Sequence, residues 1–184
     1  AKNKLCMPDA EAAAEAETFL KQMISVQDSA GGIVECCITG VPAGIGEPVF
    51  DKLDAKLAMA IMSVGAVKGF EIGDGFAAAR TYGSENNDEF SIDANGTPIK
   101  KTNHSGGILG GMSDGSDIVF RAAFKPTPSI AVTENTINRA GEEVSINIKG
   151  RHDPIVVPRA VVVVEAMAAL TVLDLYLQNV NSKI

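Results

Sequence analysis

The sequence predicts an α+β fold, with antiparallel sheet packed against long helices. Three observations carry this. Apolar residues at helical spacing recur near both ends of the chain and once between them. Short alternating runs separated by Gly, Pro and Asn turn signals fill the middle. The order is helix, strand, helix, strand, a group of strands, then a last helix, which gives sheet covered by helices. The 184 residues suffice for a sizeable core, and one domain over 1–184 is expected.

Each element has a local cause. Asp9, just after Pro8, is a candidate N-cap for a helix over 9–27, and DSAGG at 28–32 ends it. In IVECCITG, Val34, Cys36 and Ile38 share one face, as in a half-buried strand. GVPAGIGEP at 40–48 is a Gly/Pro loop. Phe50, Leu53, Leu57, Ala60 and Ile61 return to helical spacing, and AVKGFEIG at 66–73 reads as a strand. DEFSIDANGTPIKK at 88–101 reads as a hairpin turning at Asn95-Gly96. DIVFRAAF at 117–124 is a strand, KPTPS a rigid turn, and SIAVTENTI a further extended run. Val144, Ile146 and Ile148 alternate within 141–150. Pro158 sits in the first turn of the last helix. That helix looks membrane-like from Pro158 to Leu177, but Glu165 and Asp174 interrupt it, so a buried core helix is expected.

Composition excludes several function classes. Hydrophobic residues make up 46% and charged residues 21%, which is ordinary for a globular chain. A net charge of −7 argues against general nucleic-acid binding, which needs a basic face. Trp is absent and aromatics are 5%, so aliphatic side chains must build the core. Cys6, Cys36 and Cys37 are odd in number and make no disulfide framework, as expected in a reducing cytosol. His104 and His152 lie near no cysteine pair, so no metal site is expected. The polar, acidic start is no signal peptide, and a cytoplasmic location with no membrane partner is expected. The first residue is not Met, so the chain is expected to be processed or cut from something longer.

Four stretches attract functional attention. GGILGG at 106–111 sits where five glycines fall within sixteen residues. It either presents N–H groups to a phosphate or flavin ring, or makes tight turns between strands. KPTPS at 125–129 offers the Lys125 charge and the Thr127 and Ser129 hydroxyls on a backbone stiffened by two prolines, or is a stiff surface turn. Gly65, Gly69, Gly73 and Gly75 crowd one strand, against either a ligand or a neighbouring strand. In GRHDP, Arg151 suits a phosphate or carboxylate, and Asp153 suits proton transfer if burial raises its pKa. A solvated ion pair at a helix start explains the same residues. In an extended segment His152 points away from Asp153, so no His–Asp pair is expected. His104 reads as a turn residue.

Together these stretches resemble the chorismate synthase family. The matching pieces are residues 28–76, GSENNDEF at 83–90, TNHSGGILGGMSDG at 102–115, FKPTPSI at 124–130, TINRAGEEV at 136–144 and GRHDPIVVPRAVVVVEAMAAL at 150–170. They run in family order over nearly the whole chain. The resemblance is to the C-terminal half of the family enzyme. It implies that an absent N-terminal half carries the two catalytic histidines and most substrate-phosphate arginines, so His104 and His152 take neither role.

The resemblance implies an anti-1,4-elimination of phosphate from 5-enolpyruvylshikimate 3-phosphate, giving chorismate, at the end of the shikimate pathway. Reduced FMN is required but not consumed, with NADPH as the associated reductant. By position, the implied flavin contacts are Gly65, Ala66, Gly110, Lys125, Pro126, Thr127, Pro128, Ser129 and Arg151, with Asp153 as the catalytic carboxylate. Relatives often have a side chain at the Gly65 position, so a backbone-only contact is expected there. The implied fold is a β-α-β sandwich assembled as a homotetramer, of which this chain supplies half. Such a half is expected to expose apolar surface and self-associate. Two other readings fit the same residues: an FMN-dependent oxidoreductase, and a non-catalytic binding or assembly module.

Overall fold

The computed structural model describes residues 3–150 and 152–182, which form two compact units. The first comprises residues up to 33 together with 124–161; the second comprises 34–123 and the chain from 162 onward.

In the first unit, helix α1 (Ala10–Ser25) starts where the Asp9 carboxylate accepts the N–H groups of Glu11 and Ala12. This is the expected N-cap, satisfying two donors that the first turn leaves open. Ala13 and Leu20 are its buried positions. Strands β8 (Glu134–Ile137) and β9 (Glu143–Ile146) pair antiparallel, Glu134 opposite Ile146 and Ile137 opposite Glu143. The expected alternation at Val144 and Ile146 is present, but nothing covers its apolar side, and every residue of both strands is exposed.

The second unit holds a three-stranded sheet in the order β1-β7-β2, made of β1 (Gly32–Ile38), β7 (Ile118–Phe124) and β2 (Val67–Ile72). Its central strand buries every second residue: Ile118, Phe120, Ala122 and Phe124. Helix α2 (Leu53–Met62) packs against β2 and buries Leu53, Leu57 and Ile61 completely. Phe50 is 89% exposed, because the helix starts three residues later than its spacing suggests. The hairpin of β3 (Phe90–Ile92) and β4 (Pro98–Lys100) turns at Asn95-Gly96 as expected, with Gly96 left-handed at φ +83°. A second hairpin joins β5 (Ile108–Leu109) to β6 (Met112–Ser113). A 3-10 turn (Gly75–Arg80) and the one-turn helix α3 (Gly83–Asn86) precede β3.

The Gly/Pro loop at 40–48 is tied down by a residue that sequence reading passed over. Ser113 is 4% exposed. Its hydroxyl donates to the Pro42 carbonyl at 2.6 Å and accepts the Ile45 N–H at 2.9 Å. Its own N–H donates to the Ile45 carbonyl, and its carbonyl accepts the Gly44 N–H. A loop that buries Ile45 must satisfy its backbone this way.

Helix α4 (Val157–Ser182) corrects an expectation. It is long and apolar enough by composition to cross a membrane, yet it is not a buried core helix in this chain. It buries one stripe, Ala160, Val164, Ala168 and Leu175, and leaves Val162, Leu170, Leu173 and Leu177 exposed.

Candidate functional site

The glycines of the second unit divide into two kinds. Gly73 (φ +54°) and Gly106 (φ +65°) lie backbone against backbone. A Cβ on Gly106 would sit 2.5 Å from the Gly73 nitrogen, and one on Gly107 2.5 Å from the Asp117 carbonyl oxygen. Gly75 crowds the side chain of Glu71, and Gly69 meets Ala123 on the neighbouring strand. These five positions serve the fold. A Cβ at Gly65 or Gly110 would meet nothing within 4 Å, as at the loop, turn and one-turn-helix glycines Gly40, Gly44, Gly83 and Gly96. Ala66 beside Gly65 is left-handed at φ +71°, a region sparsely used by side-chain-bearing residues and common at functional positions.

Gly110 (φ +60°) and Gly111 (φ +87°) make the two-residue turn of the β5–β6 hairpin. Both left-handed angles match the type I′ turn that strand twist favours. GGILGG therefore makes a tight turn between strands and leaves open space around Gly110. The Gly111 carbonyl accepts the Leu53 N–H at 2.8 Å, at the start of α2. Gly65 and Ala66 follow the other end of α2, about 15 Å away along its axis at 1.5 Å per residue. The structure thus holds these contact positions at opposite ends of one helix.

In the first unit, residues 28–32 join the other two segments. The Ser29 hydroxyl donates to the Thr127 carbonyl at 2.7 Å, and the Ala30 N–H donates to the Pro154 carbonyl at 2.8 Å. A Cβ on Gly31 would lie 2.5 Å from the Phe124 carbonyl oxygen and 3.2 Å from Pro126 Cδ. DSAGG is therefore more than a helix breaker: it brings KPTPS and the residues after 152 together. Sequence reading missed that role, although the glycine pair signalled close packing. Beside this junction, Ile24, Gln27, Ile130, Ala131, His152 and Pro154 line a cavity of about 250 Å³.

Lys125, Pro126 and Pro128 are exposed, while Thr127 and Ser129 are half-buried. The Thr127 hydroxyl oxygen is buried and has no hydrogen-bond partner among the described residues. An unpartnered buried hydroxyl is costly and calls for a partner beyond the described residues. Arg151 lies outside the described residues. Asp153 is paired with Arg159, a cation passed over in the sequence, and its side chain is 48% exposed. The expected burial of this carboxylate is therefore not found among the described residues. His152 Nε2 meets the Ile148 carbonyl at 3.1 Å, so no His–Asp pair forms there.

The densest polar cluster lies in the second unit and was not singled out from sequence. Lys100 Nζ donates to Asp88 at 3.1 Å, Asp114 at 2.7 Å and the Ser105 hydroxyl at 2.8 Å. Burial opposes the Asp88 charge. The Ser105 hydroxyl and N–H, the Thr102 hydroxyl and the His104 N–H together outweigh that, holding the carboxyl well below the usual range. Asp114 is likewise lowered, as Lys100 and the Ser116 N–H overcome its burial. His104 lies in a turn as expected, and its Nδ1 is 2.7 Å from Asp74. Burial first, then Cys37 and Glu165, push the Cys36 thiol up to about 11, away from the reactive thiolate. Among the described residues, no three His, Cys, Asp or Glu side chains gather as metal ligands would.

With this geometry, likeness to known proteins can be weighed. The family model for chorismate synthase matches residues 1–177. The chain belongs to the chorismate synthase family. It is 68% identical over 179 residues to the chorismate synthase of Lachnoclostridium phytofermentans, covering 97% of this chain and 49% of that one. It is 60% identical to that of Agathobacter rectalis, covering 98% and 49%. A crystal structure of chorismate synthase matches with a TM-score of 0.77 at 32% identity, covering 94% of this chain and 45% of that one. The α+β fold is that of the family. The chain spans about half the length of the chorismate synthases it matches.

The two kinds of glycine separate in stability. Gly73→Ala is expected to cost upward of about 1–2 kcal/mol, from its left-handed backbone and the contact with residues 104–106. Gly65→Ala is expected to change stability by no more than about 0.5 kcal/mol. Denaturant midpoints of the two variants check this. The lowered carboxyls predict a pH dependence of known sign. Asp88 and Asp114 keep their charge where unfolded aspartate, near about 3.9, takes up a proton. Their contribution is therefore full above that value and is lost as pH falls below it. Melting temperature is expected to hold from about pH 7 to 5 and to drop below about pH 4, with Asp88→Asn starting lower and losing less.

Proposed function

We propose that this chain is the flavin-contacting half of a chorismate synthase. In the complete protein, 5-enolpyruvylshikimate 3-phosphate loses phosphate and a C6 proton to give chorismate. The activity is that of a lyase in the shikimate pathway, with reduced FMN as cofactor. The observation that carries this reading is the family match over residues 1–177, and the openness of two glycines agrees with it. Open space lies over Gly65 and Gly110, two of the positions the family assigns to the cofactor, while neighbouring glycines are consumed by the fold. The unpartnered Thr127 hydroxyl supports the same reading.

Bound reduced flavin would lend electron density as the allylic C–O bond breaks. The chain's own residues do the rest. Gly65 and Gly110, at opposite ends of α2, offer backbone to a bound flavin at two separate points, and Ala66 beside Gly65 adds only a methyl group. Lys125, Thr127 and Ser129 offer a charge and two hydroxyls on a segment that Pro126 and Pro128 keep stiff, so little entropy is lost on binding. Arg151 supplies a planar donor pair for a phosphate or carboxylate. Asp153 moves a proton at its carboxylate oxygen. The complete protein works in the cytosol as a homotetramer. The exposed apolar side of α4 is then covered by protein rather than lipid, since Glu165 and Asp174 would each be costly at mid-bilayer.

Prereduced FMN and the phosphorylated enol ether, given to the full-length protein, are expected to yield chorismate without stoichiometric flavin oxidation. Stoichiometric oxidation would instead establish an oxidoreductase. Asp153→Asn is expected to lower kcat by about 10²-fold or more, in line with loss of a general acid–base group. The chain alone is expected to bind FMN without turnover, with weaker binding after Arg151→Ala. An unaffected Arg151→Ala variant would favour a non-catalytic module. In isolation the chain is also expected to pair its uncovered α4 face with a second copy, and Leu170→Asp to weaken that pairing. Sedimentation showing only monomer at every concentration would refute it.

A further inference from the structure

Three charged side chains of the second unit are almost fully withdrawn from water: Lys100 at 3% exposure, Asp88 at 4% and Asp114 at 7%. Stability is a poor reason for them, because desolvating such charges costs more than burying apolar side chains of similar volume. What they do is visible in their partners. Asp88 accepts the Thr102 hydroxyl, the His104 N–H, and both the N–H and hydroxyl of Ser105. Those residues form one foot of the β5–β6 hairpin. Asp114 stands at the other foot, its N–H donating to the Gly107 carbonyl and its carboxylate accepting the Ser116 N–H. Lys100 bonds Asp88, Ser105 and Asp114, and so joins the two feet. The tip is held separately, through the Gly111 carbonyl on the Leu53 N–H. Between these anchors Gly110 stands left-handed, with open space around it.

We infer that Lys100, Asp88 and Asp114 form a positioning clasp that fixes the Gly110 backbone for a flat ligand. The inference rests on the cofactor reading above. None of the three touches a reacting atom. Their directional bonds hold a two-residue turn in one geometry, which apolar packing at a short hairpin's feet would not specify.

The test uses a charge-free variant of similar shape, Lys100→Met with Asp88→Asn and Asp114→Asn, which leaves no charge of the clasp unpaired. Two readouts are taken: amide hydrogen exchange at Gly110 and Gly111 without ligand, and FMN affinity by flavin fluorescence. The expected result is a cooperative melt near that of the parent, with exchange at least tenfold faster and FMN binding at least tenfold weaker. Unchanged exchange and affinity would overturn the clasp. Should the triple variant not fold, Ser105→Ala keeps every charge and removes one shared hydroxyl. It is expected to show both effects at about threefold, and their absence would overturn the clasp equally. A parent chain that binds no FMN would overturn the cofactor reading, and with it the purpose assigned here. The exchange arm would still decide whether the clasp holds the hairpin.

Discussion

Where β2 leaves the sheet, its backbone passes so close to the chain at 104–106 that neither side has room for a Cβ. Gly73 and Gly106 meet there, and three backbone bonds seal the crossing. The Gly73 N–H donates to the Val119 carbonyl, the Asp74 N–H to the His104 carbonyl, and the Val119 N–H to the Gly106 carbonyl. Arg121 adds a bond to the Gly73 carbonyl and an ion pair with Glu71. Because the crossing fixes β2, β7 and the 102–107 turn to one another, it decides where the β5–β6 hairpin begins. Everything proposed for Gly110 depends on that starting point. Backbone contact at this distance also explains why a chain with a modest aliphatic core spends its glycines here.

Much of the fold was legible because it follows from periodicity and local turn chemistry. Asp9 announces α1, Asn95-Gly96 announces the first hairpin, and the alternation at Ile118, Phe120, Ala122 and Phe124 announces the central strand. What stayed hidden depends on partners distant in sequence. Ser113 looks like any serine in a glycine-rich stretch, and only the return of residues 42–45 makes it a buried hub. Lys100 looks like one of two lysines ending a strand, and only the approach of Asp88 and Asp114 takes it out of water. At the site, spacing drew attention to glycines without saying which of them the fold consumes. The close approaches at Gly69, Gly73 and Gly75, against the open space at Gly65, make that distinction.

Helix α4 shows why composition alone misplaces an element. Its apolar residues surround it, so periodicity gives no preferred face and a buried helix is the natural expectation. Among the described residues, the stripe through Ala160, Val164, Ala168 and Leu175 is the fully buried part. A helix apolar all round needs cover all round. A chain half as long as its relatives supplies that cover on one side. The uncovered hairpin of β8 and β9 has the same shortage, with Val144 and Ile146 facing solvent at the positions a layer would bury.

The same shortage bears on chemistry. A carboxyl that takes and gives a proton near neutral pH needs a pKa raised by desolvation. Asp153 has the opposite surroundings here, half open to water and beside the Arg159 guanidinium. The chain therefore provides the carboxylate and its placement, with the Ala30 N–H holding the adjacent Pro154 carbonyl. Cover of low dielectric is what the role proposed for Asp153 would still need. Ligand contacts and proton chemistry thus make different demands. Open backbone at Gly65 and Gly110 is present before anything binds, whereas the proton role proposed for Asp153 calls for cover that its half-exposed carboxylate does not have here.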